Sequence, residues 1–375
     1  MNNTQLMATS MVTLFNTHKR SWHYVTELTL QSLYRTSVVL GDQALKTWTL
    51  NTYEPFINND GSINGHVMDE YSLDLVAPGK FLFPMYQETG ETRYVKAMQT
   101  IALQLENQPR TEEGGFWHKL RYPHQMWLDG FYMQAPFAVQ YYKMQGSLLA
   151  LLDDLVSQFE LMYNKSLEPK SGLLLHAWDE SKSMPWCNPE TGLSGYVWGR
   201  ALGWYCMALV DILDYIPQTD EYLQYRNRLA VLVSSLGAAV CSVQDVQTGL
   251  WWQVMDKPNE GDNYLESSAS AMFSYFLQKA ARKNLVTDPV GCKQAGVRAF
   301  EGMLMHKTNI DEQGILHVRD ICKSAGLGKS LDVNPYRDGS FSYYTSGEPR
   351  VTDNMHGTGP LLLAALEYEY ADRLA

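Results

Sequence analysis

One stretch of the chain, from Gly114 to Met133, concentrates the residue types that perform acid and base chemistry. It holds four basic or potentially basic side chains, two tryptophans and the carboxylate of Asp129 within twenty residues. Aromatic residues flank Asp129, and burial among them would disfavour the charged form of its carboxyl group, which could then donate a proton as a general acid. Asp is also among the best helix N-cap residues, so a structural role is an equally good interpretation.

A second group of such residues begins at His176 and continues around Trp198, Arg200 and Trp204. Arg200 and Trp198 stand at the start of an apolar helical stretch, where side chains can point into a central cavity. An arginine beside two tryptophans could bind a carboxylate through two parallel hydrogen bonds while the rings stack on a sugar. A structural arginine, paired with Asp179 or capping a helix, fits the pattern equally well.

A further carboxylate, that of Asp74, interrupts an apolar run between Tyr71 and Gly79. An unpaired buried charge is costly, so this aspartate needs a partner. The sequence contains no GxSxG motif, no P-loop, no HExxH motif and no dinucleotide-binding glycine pattern after a strand. These absences exclude the common serine hydrolases, nucleotide-binding enzymes and zinc proteases.

The elements that position these residues are predicted to be helices. Apolar residues recur at helical spacing in the stretches 94–105, 148–162 and 202–213, which is typical of helices buried on one face. Strand-like alternation is nearly absent, and the extended pieces are short enough to be small hairpins in loops.

The loops between helical stretches resemble one another. Each joins a glycine to a later aspartate, in the pairs Gly172 and Asp179, Gly249 and Asp256, and Gly314 and Asp320. A helical unit that recurs with one elaborated loop predicts helical hairpins closed into a toroid, and six hairpins fit the length. The loops either line a cleft at one mouth of this toroid or serve only as turns, with Gly supplying positive φ and Asp capping.

The amino-acid composition limits the kinds of molecule that this protein is expected to bind. The chain has 375 residues, of which 45% are hydrophobic and 19% charged, and its formal net charge is −11. This excess of acidic residues argues against non-specific nucleic-acid binding, and an acidic small-molecule substrate would need a local basic pocket. Five dispersed cysteines show no metal-ligand spacing, and neither a signal peptide nor a membrane span is evident. We therefore expect a soluble, cytoplasmic protein with no protein partner implied.

Together these motifs resemble those of the unsaturated rhamnogalacturonyl hydrolases, glycoside hydrolase family 105, with the unsaturated glucuronyl hydrolases of family 88 as more distant relatives. The resemblance runs from Trp22-His23-Tyr24 to the stretch 353–360, and its most specific parts are 118–133 and 197–204. It implies an all-α, (α/α)6 barrel of six helical hairpins with short loop hairpins at the cleft. We expect residues 21–375 to form this single catalytic domain after an N-terminal extension of residues 1–20.

The resemblance also implies residue roles. Asp129 matches the catalytic aspartate of the family and Asp74 its second cleft aspartate. The positions that match substrate-binding residues are Tyr24, His118, His176, Trp198, Arg200 and Trp204. Residues 326–350 correspond to a variable region at the far end of the cleft, so the sugar attached to the uronic acid is not assigned. Neither a metal nor an organic cofactor is implied.

The implied activity is removal of a terminal 4,5-unsaturated uronic acid from small acidic oligosaccharides produced by polysaccharide lyases. Asp129 would protonate C4 and help to deprotonate the attacking water, Asp74 would orient the sugar or the water, and loss of Arg200 would mainly raise KM. One alternative is a sugar epimerase or isomerase on the same barrel that uses His118, His124 and His176 to move protons. Another is a carbohydrate-binding protein without catalysis.

Overall fold

The computed structural model describes residues 2–329 and 336–374, so part of the variable region, 330–335, lies outside the described residues. Within them, twelve α-helices are joined by loops that carry three two-stranded ribbons. The helices are α1 (Asn3–Phe15), α2 (Tyr24–Leu40), α3 (Gln43–Tyr53), α4 (Leu82–Thr89), α5 (Thr92–Glu106), α6 (Asp129–Met144), α7 (Leu148–Ser166), α8 (Gly199–Ile212), α9 (Asp220–Ser242), α10 (Ser267–Arg282), α11 (Pro289–Lys307) and α12 (Met355–Tyr370).

Six of these helices form a closed inner ring. Helix α2 contacts the 3₁₀ segment Ala77–Phe81 that leads into α4, this segment contacts α6, and the ring continues through α8, α10 and α12 back to α2. The odd-numbered helices alternate with them along the chain and pack outside. This arrangement confirms the predicted barrel of six helical hairpins.

The two layers differ in their apolar pattern because they differ in exposure. Every residue of the inner helix α8 is buried, and its sequence is apolar apart from Arg200 and Asp211, which both have partners inside the protein. The outer helix α5 buries only one face, which includes Tyr94, Met98, Ile101 and Leu105, as the helical spacing predicts. Inner helices approach closely through small residues, and a Cβ on Gly203 of α8 would lie 2.7 Å from the sulfur of Met272.

Residues 1–20, expected to be an extension, include a helix of the barrel. Helix α1 packs on α12 and α2, and it buries Met7, Met11 and Phe15 in the core. The Glu369 carboxylate at the end of α12 accepts the backbone N–H groups of Asn3 and Thr4, each at 3.1 Å. Helix α1 is thus the outer helix of the first pair and is held there by apolar contacts. Its short sequence mixes polar and apolar residues, so it shows no clear amphipathic pattern that would have predicted this packing.

The strands are short antiparallel ribbons, as predicted for loop hairpins: β1 (Gln125–Trp127) with β2 (Ala177–Asp179), β3 (Thr308–Ile310) with β4 (Leu316–Val318), and β5 (Ile321–Cys322) with β6 (Arg350–Val351). The ribbon β1–β2 joins the loop before α6 to a loop between α7 and α8. It therefore brings the two sequence clusters around Asp129 and His176 together.

The repeated glycine loops follow the outer helices α7, α9 and α11 and act as turns. Gly172, Gly249 and Gly314 have φ values of 74°, 73° and 78°, a region that glycine enters without steric cost. Two of the aspartates after them have structural partners: Asp179 accepts the backbone N–H groups of three nearby residues, and Asp320 pairs with Lys307 at 2.8 Å. Turn chemistry thus accounts for the three glycines and for these two aspartates.

A buried ionic cluster ties the inner helices together. The Lys279 ammonium of α10 lies 2.7 Å from the Asp211 carboxylate of α8 and 2.6 Å from that of Asp214. Nearby, Lys80 pairs with Glu27 of α2 at 2.9 Å, and both side chains are at most 5% exposed. No helix in the described part of the chain combines the length and apolarity needed to cross a membrane.

Candidate active site

The predicted site residues gather at the N-terminal ends of the inner helices. Tyr24 is the first residue of α2, Asp129 the first of α6 and Arg200 the second of α8. Because each inner helix begins at this end of the barrel, the positive ends of several helix dipoles face the same opening. Such an arrangement favours negatively charged ligands.

Asp129 faces a buried histidine. Its Oδ2 atom lies 3.3 Å from Nε2 of His176, and the aspartate side chain is 13% exposed whereas that of His176 is fully buried. The other ring nitrogen of His176 forms a 2.7 Å hydrogen bond with the Tyr344 hydroxyl. Leu128, not Asp129, occupies the N-cap position of α6, and no side-chain cap bond forms. The N-cap interpretation of Asp129 is therefore wrong.

Asp74 has the charge partners that were predicted for an aspartate in an apolar stretch of sequence. The Lys119 ammonium donates to Oδ2, and His118 Nε2 lies 3.5 Å from Oδ1. Burial alone would raise the pKa of Asp74, but the charge of Lys119 opposes it, His118 and His23 add to that effect once they are protonated in acid, and the pKa of Asp74 lies well below its usual range. Asp74 is therefore ionised at neutral pH, and its side chain is 15% exposed.

His118 is neutral at neutral pH, because burial lowers its pKa to about 4 despite the opposing charge of Asp74. Its ring stacks on Trp127 at 4.8 Å, and Trp127 stacks in turn on Tyr122 at 4.9 Å. The edge of Trp127 also meets the His176 ring at 5.3 Å. One tryptophan thus separates and orients the two histidines that accompany the two aspartates.

Tyr24 occupies the opposite wall. Its hydroxyl shares a 2.9 Å hydrogen bond with His356 Nε2, and its ring meets Trp204 edge-on at 5.9 Å. Burial raises the pKa of Tyr24, and the charges of Asp74, Arg200 and Asp129 all act on its hydroxyl. Tyr24 therefore lies close to the charged residues Asp74, Arg200 and Asp129 that were predicted for the site. Trp204 is 1% exposed, so its ring is almost wholly buried.

Arg200 is held by partners within the protein. Its Nε donates to Ser268 Oγ at 2.8 Å, its Nη2 donates to the Cys322 carbonyl, and Nη2 lies 3.7 Å from the fully buried Glu266 carboxylate. Of the structural interpretations, a buried ion pair is correct, but its partner is Glu266 and not Asp179. The guanidinium also lies over the Trp198 ring, 5.5 Å from its centre.

Trp198 lies between Arg200 and the side of the site that holds His176 and Asp129. Its ring lies 4.8 Å from that of His176 and 6.1 Å from that of Tyr344, and its Nε1 donates to Gln253 Oε1 at 3.2 Å. Because Trp198 is 1% exposed, it forms part of the wall instead of presenting an open face.

The structure adds residues that the sequence did not single out. Lys119 and Tyr122 lie inside the 114–133 cluster, and the need of Asp74 for a partner was a usable signal for Lys119. His356 lies in the 353–360 motif that carried the family resemblance. Tyr344 has no such signal, because its contact with His176 joins residues 168 positions apart.

His124, one of the histidines weighed for proton transfer, lies away from the two aspartates. Its ring packs 4.7 Å from that of Trp117, its side chain is 47% exposed, and its Nδ1 lies 3.8 Å from Glu180. Among residues 2–329 and 336–374, no cluster of three His, Cys, Asp or Glu side chains is arranged to hold a metal ion.

Comparison with known proteins places this chain in a family. The model of Glycosyl Hydrolase Family 88 matches residues 1–371. A solved structure of a family 105 glycoside hydrolase from C. acetobutylicum ATCC 824 is 38% identical, covers 98% of this chain and 99% of that chain, and superimposes with a TM-score of 0.91.

Two curated proteins are also similar. Protein Atu3128 of Agrobacterium fabrum strain C58 is 38% identical over 237 residues, which are 63% of this chain and 97% of that protein. The unsaturated rhamnogalacturonyl hydrolase YesR of Bacillus subtilis strain 168 is 28% identical over 252 residues, which are 64% of this chain and 63% of that protein.

Proposed function

Because this chain belongs to Glycosyl Hydrolase Family 88 and is therefore a glycoside hydrolase, we propose that it releases a terminal 4,5-unsaturated uronic acid from lyase-generated oligosaccharides. The observation that carries this proposal is the unequal setting of two carboxylates. Asp74 is paired with Lys119 and stays ionised. Asp129 faces His176 and forms no ion pair with a lysine or arginine of the described residues, so it is the better proton carrier.

The substrate double bond is an enol ether, because C5 carries the ring oxygen. Asp129 donates its proton to C4, and the positive charge that develops at C5 is stabilised by that oxygen. Addition to the alkene needs only one acid and base group, whereas ordinary glycosidases use one carboxylate on the glycosidic oxygen and a second as nucleophile or base.

Water then adds to C5 and gives up a proton to the Asp129 carboxylate, which restores the acid. The product is a hemiketal that opens to a ketone at C5 and leaves a hemiacetal at C1. This hemiacetal collapses to an aldehyde and releases the second sugar. One water is consumed in total, and the glycosidic bond breaks as a consequence of hydration.

The remaining residues position the substrate. Ionised Asp74 orients the sugar or the water, and the walls of the site are formed by Tyr24, His118, His176, Trp198, Arg200 and Trp204. For the substrate we propose unsaturated galacturonyl-rhamnose from rhamnogalacturonan, and the similarity to YesR supports this choice.

The test is a panel of lyase-generated disaccharides from rhamnogalacturonan, glycosaminoglycan and ulvan, followed by loss of the ultraviolet absorbance of the alkene. We expect the rhamnogalacturonan disaccharide to have the highest kcat/KM. Preference for another disaccharide overturns the substrate assignment alone, and no absorbance loss with any of them overturns the reaction. A saturated disaccharide serves as the control, since an epimerase would convert it and the proposed enzyme does not.

A further inference from the structure

Arg337 carries a buried cation beside the site. The residue is 9% exposed, and its Nη2 donates to the Tyr122 hydroxyl at 3.0 Å. Its other hydrogen bonds go to the backbone carbonyls of Gly328 and Leu327, each at 3.4 Å. Within the part of the chain that the structure describes, no acidic side chain lies at ion-pair distance from it. A guanidinium buried without an ion-pair partner among these described residues is costly, and an anionic ligand would lower that cost.

Two glycines that precede Arg337 in the chain, Gly326 and Gly328, fix the position of this guanidinium. Backbone hydrogen bonds join Gly328 and Arg337 in both directions, at 2.8 and 3.2 Å. A Cβ at Gly326 would come within 2.5 Å of Arg337 Nη1, so any side chain there would displace the guanidinium. The carboxylate of Glu348 is near enough for the charge of Arg337 to oppose the rise in its pKa that burial causes, but it forms no ion pair with Arg337 and accepts a 2.8 Å hydrogen bond from the Tyr343 hydroxyl.

Two series of side-chain contacts connect Arg337 to Asp74 and Asp129, the two aspartates of the proposed mechanism. Through Tyr122 it reaches the stacked rings of Trp127 and His118, beside Asp74.

The second connection runs through Tyr344. The Tyr344 hydroxyl is bonded to His176, which faces Asp129. Burial raises the pKa of that hydroxyl, and the charges of Asp129 and Arg337 then act on it in opposite directions. Arg337 and Asp129 therefore flank the same tyrosine.

The other cations at the site are already neutralised. Arg200 is paired with Glu266 and bonded to Ser268 and to a backbone carbonyl. Lys119 donates to Asp74. Both side chains therefore already have acidic partners within the protein, and neither is free to form an ion pair with a substrate carboxylate.

Building on the proposed function, we propose that Arg337 binds the carboxylate of the unsaturated uronic acid and thereby selects acidic over neutral sugars. The carboxylate is attached to C5, the neighbour of the carbon that Asp129 protonates, so its partner must lie on the same side of the site as Asp129. A guanidinium binds a carboxylate through two parallel hydrogen bonds, a geometry that an ammonium does not reproduce.

The experiment compares an unsaturated uronide disaccharide with its methyl ester, which keeps the alkene but loses the charge. In Arg337→Gln, KM for the acid should rise by roughly 10- to 100-fold, the usual range for a lost charged hydrogen bond, while KM for the ester changes little. Arg337→Lys should recover part of the preference. Gly326→Ala keeps the arginine but displaces it, and it should lose preference for the acid as Arg337→Gln does.

Arg228→Gln is the matched control, because Arg228 pairs with Glu160 on an outer helix. If Arg337→Gln raises KM equally for the acid disaccharide and for its methyl ester, the proposal is overturned. It is also overturned if the rise in KM depends on a charge on the leaving sugar instead of the uronic acid carboxylate. Retained preference for the acid in both Arg337→Gln and Gly326→Ala also overturns it. If the unmodified protein consumes no unsaturated uronide, the proposed function fails and this inference fails with it.

Discussion

The Nε2 atom of His176 lies 3.3 Å from Oδ2 of Asp129, and the Tyr344 hydroxyl holds the opposite nitrogen of the same ring. The histidine therefore has one orientation, and it presents a nitrogen, not an ammonium or guanidinium, to the proposed acid. Asp74, which is bound by Lys119, has the opposite environment.

Replacing Asp129 by Asn should abolish proton transfer and leave the shape of the site intact. We expect kcat to fall by about 10³-fold or more, within the range typical of a lost general acid, while binding of the unsaturated disaccharide remains measurable by calorimetry. Asp220→Asn, at an exposed position of α9, is the control and should retain full activity. Near-normal turnover in Asp129→Asn would refute the mechanism.

Lys119 should control the acid side of the pH profile through Asp74. Lys119→Met removes the charge that opposes burial, so the pKa of Asp74 rises and the acid limb of kcat/KM should move to higher pH. The control is Lys165→Met, which breaks the ion pair between Lys165 and Glu113. This pair is far more exposed to solvent than that of Lys119 and Asp74, so its loss should leave the pH profile of kcat/KM unchanged. An unmoved acid limb in Lys119→Met contradicts the role assigned to Asp74.

Arg200 is now expected to matter for stability more than for KM. Arg200→Gln leaves the Glu266 carboxylate buried beside a neutral side chain, and breaking such a pair costs about 3 kcal/mol in the free energy of unfolding. The double variant Arg200→Gln/Glu266→Gln should recover part of that loss. Urea denaturation of both single variants and the double variant measures the coupling. A normal unfolding midpoint with a raised KM would instead restore the interpretation of Arg200 as a substrate ligand.

Lys279 should be essential to the stability of the inner ring. Lys279→Met leaves the buried Asp211 carboxylate without its cation, whereas the partly exposed Asp214 keeps its ion pair with Lys283, and we expect a loss of about 3 kcal/mol. Lys46→Met provides the contrast, because its ion pair with Glu88 is about a quarter exposed and is worth less than about 1 kcal/mol. Equal unfolding midpoints for the two variants would contradict this account.

The protein should lose stability as the pH falls from 6.5 towards 4. His118 binds a proton in the unfolded chain near its ordinary pKa of 6.5, whereas in the folded protein its pKa is about 4. The unfolded state therefore takes up more protons in this interval, and the neutral buried ring contributes up to about 3 kcal/mol that disappears on acidification.

Thermal unfolding at several pH values measures this loss. His118→Gln should show a shallower decline than the unmodified protein, and His124→Gln, at a half-exposed position, should not. A slope unaffected by His118→Gln would show that other groups, such as His23 and His356, account for the acid sensitivity.

Much of the architecture was readable from local patterns. The helical spacing in α5, α7 and α8, the glycine turns after the outer helices and the motifs around Asp129 and Trp198 all depend on residues close together in the chain. Local backbone preference and one-sided burial determine such features, so the sequence alone was sufficient for the barrel and the family, and the roles of Asp129 and Asp74 stay predictions.

Only the tertiary structure decided which charges are already paired. Arg200 finds Glu266 instead of Asp179, and Arg337 meets a tyrosine 215 positions away. Helix α1 packs on the outside of the ring through contacts with α12 at the other end of the chain. Ion pairs and helix contacts of this kind depend on how distant segments pack, since the cost of burying a charge is set by whichever partner the fold brings to it.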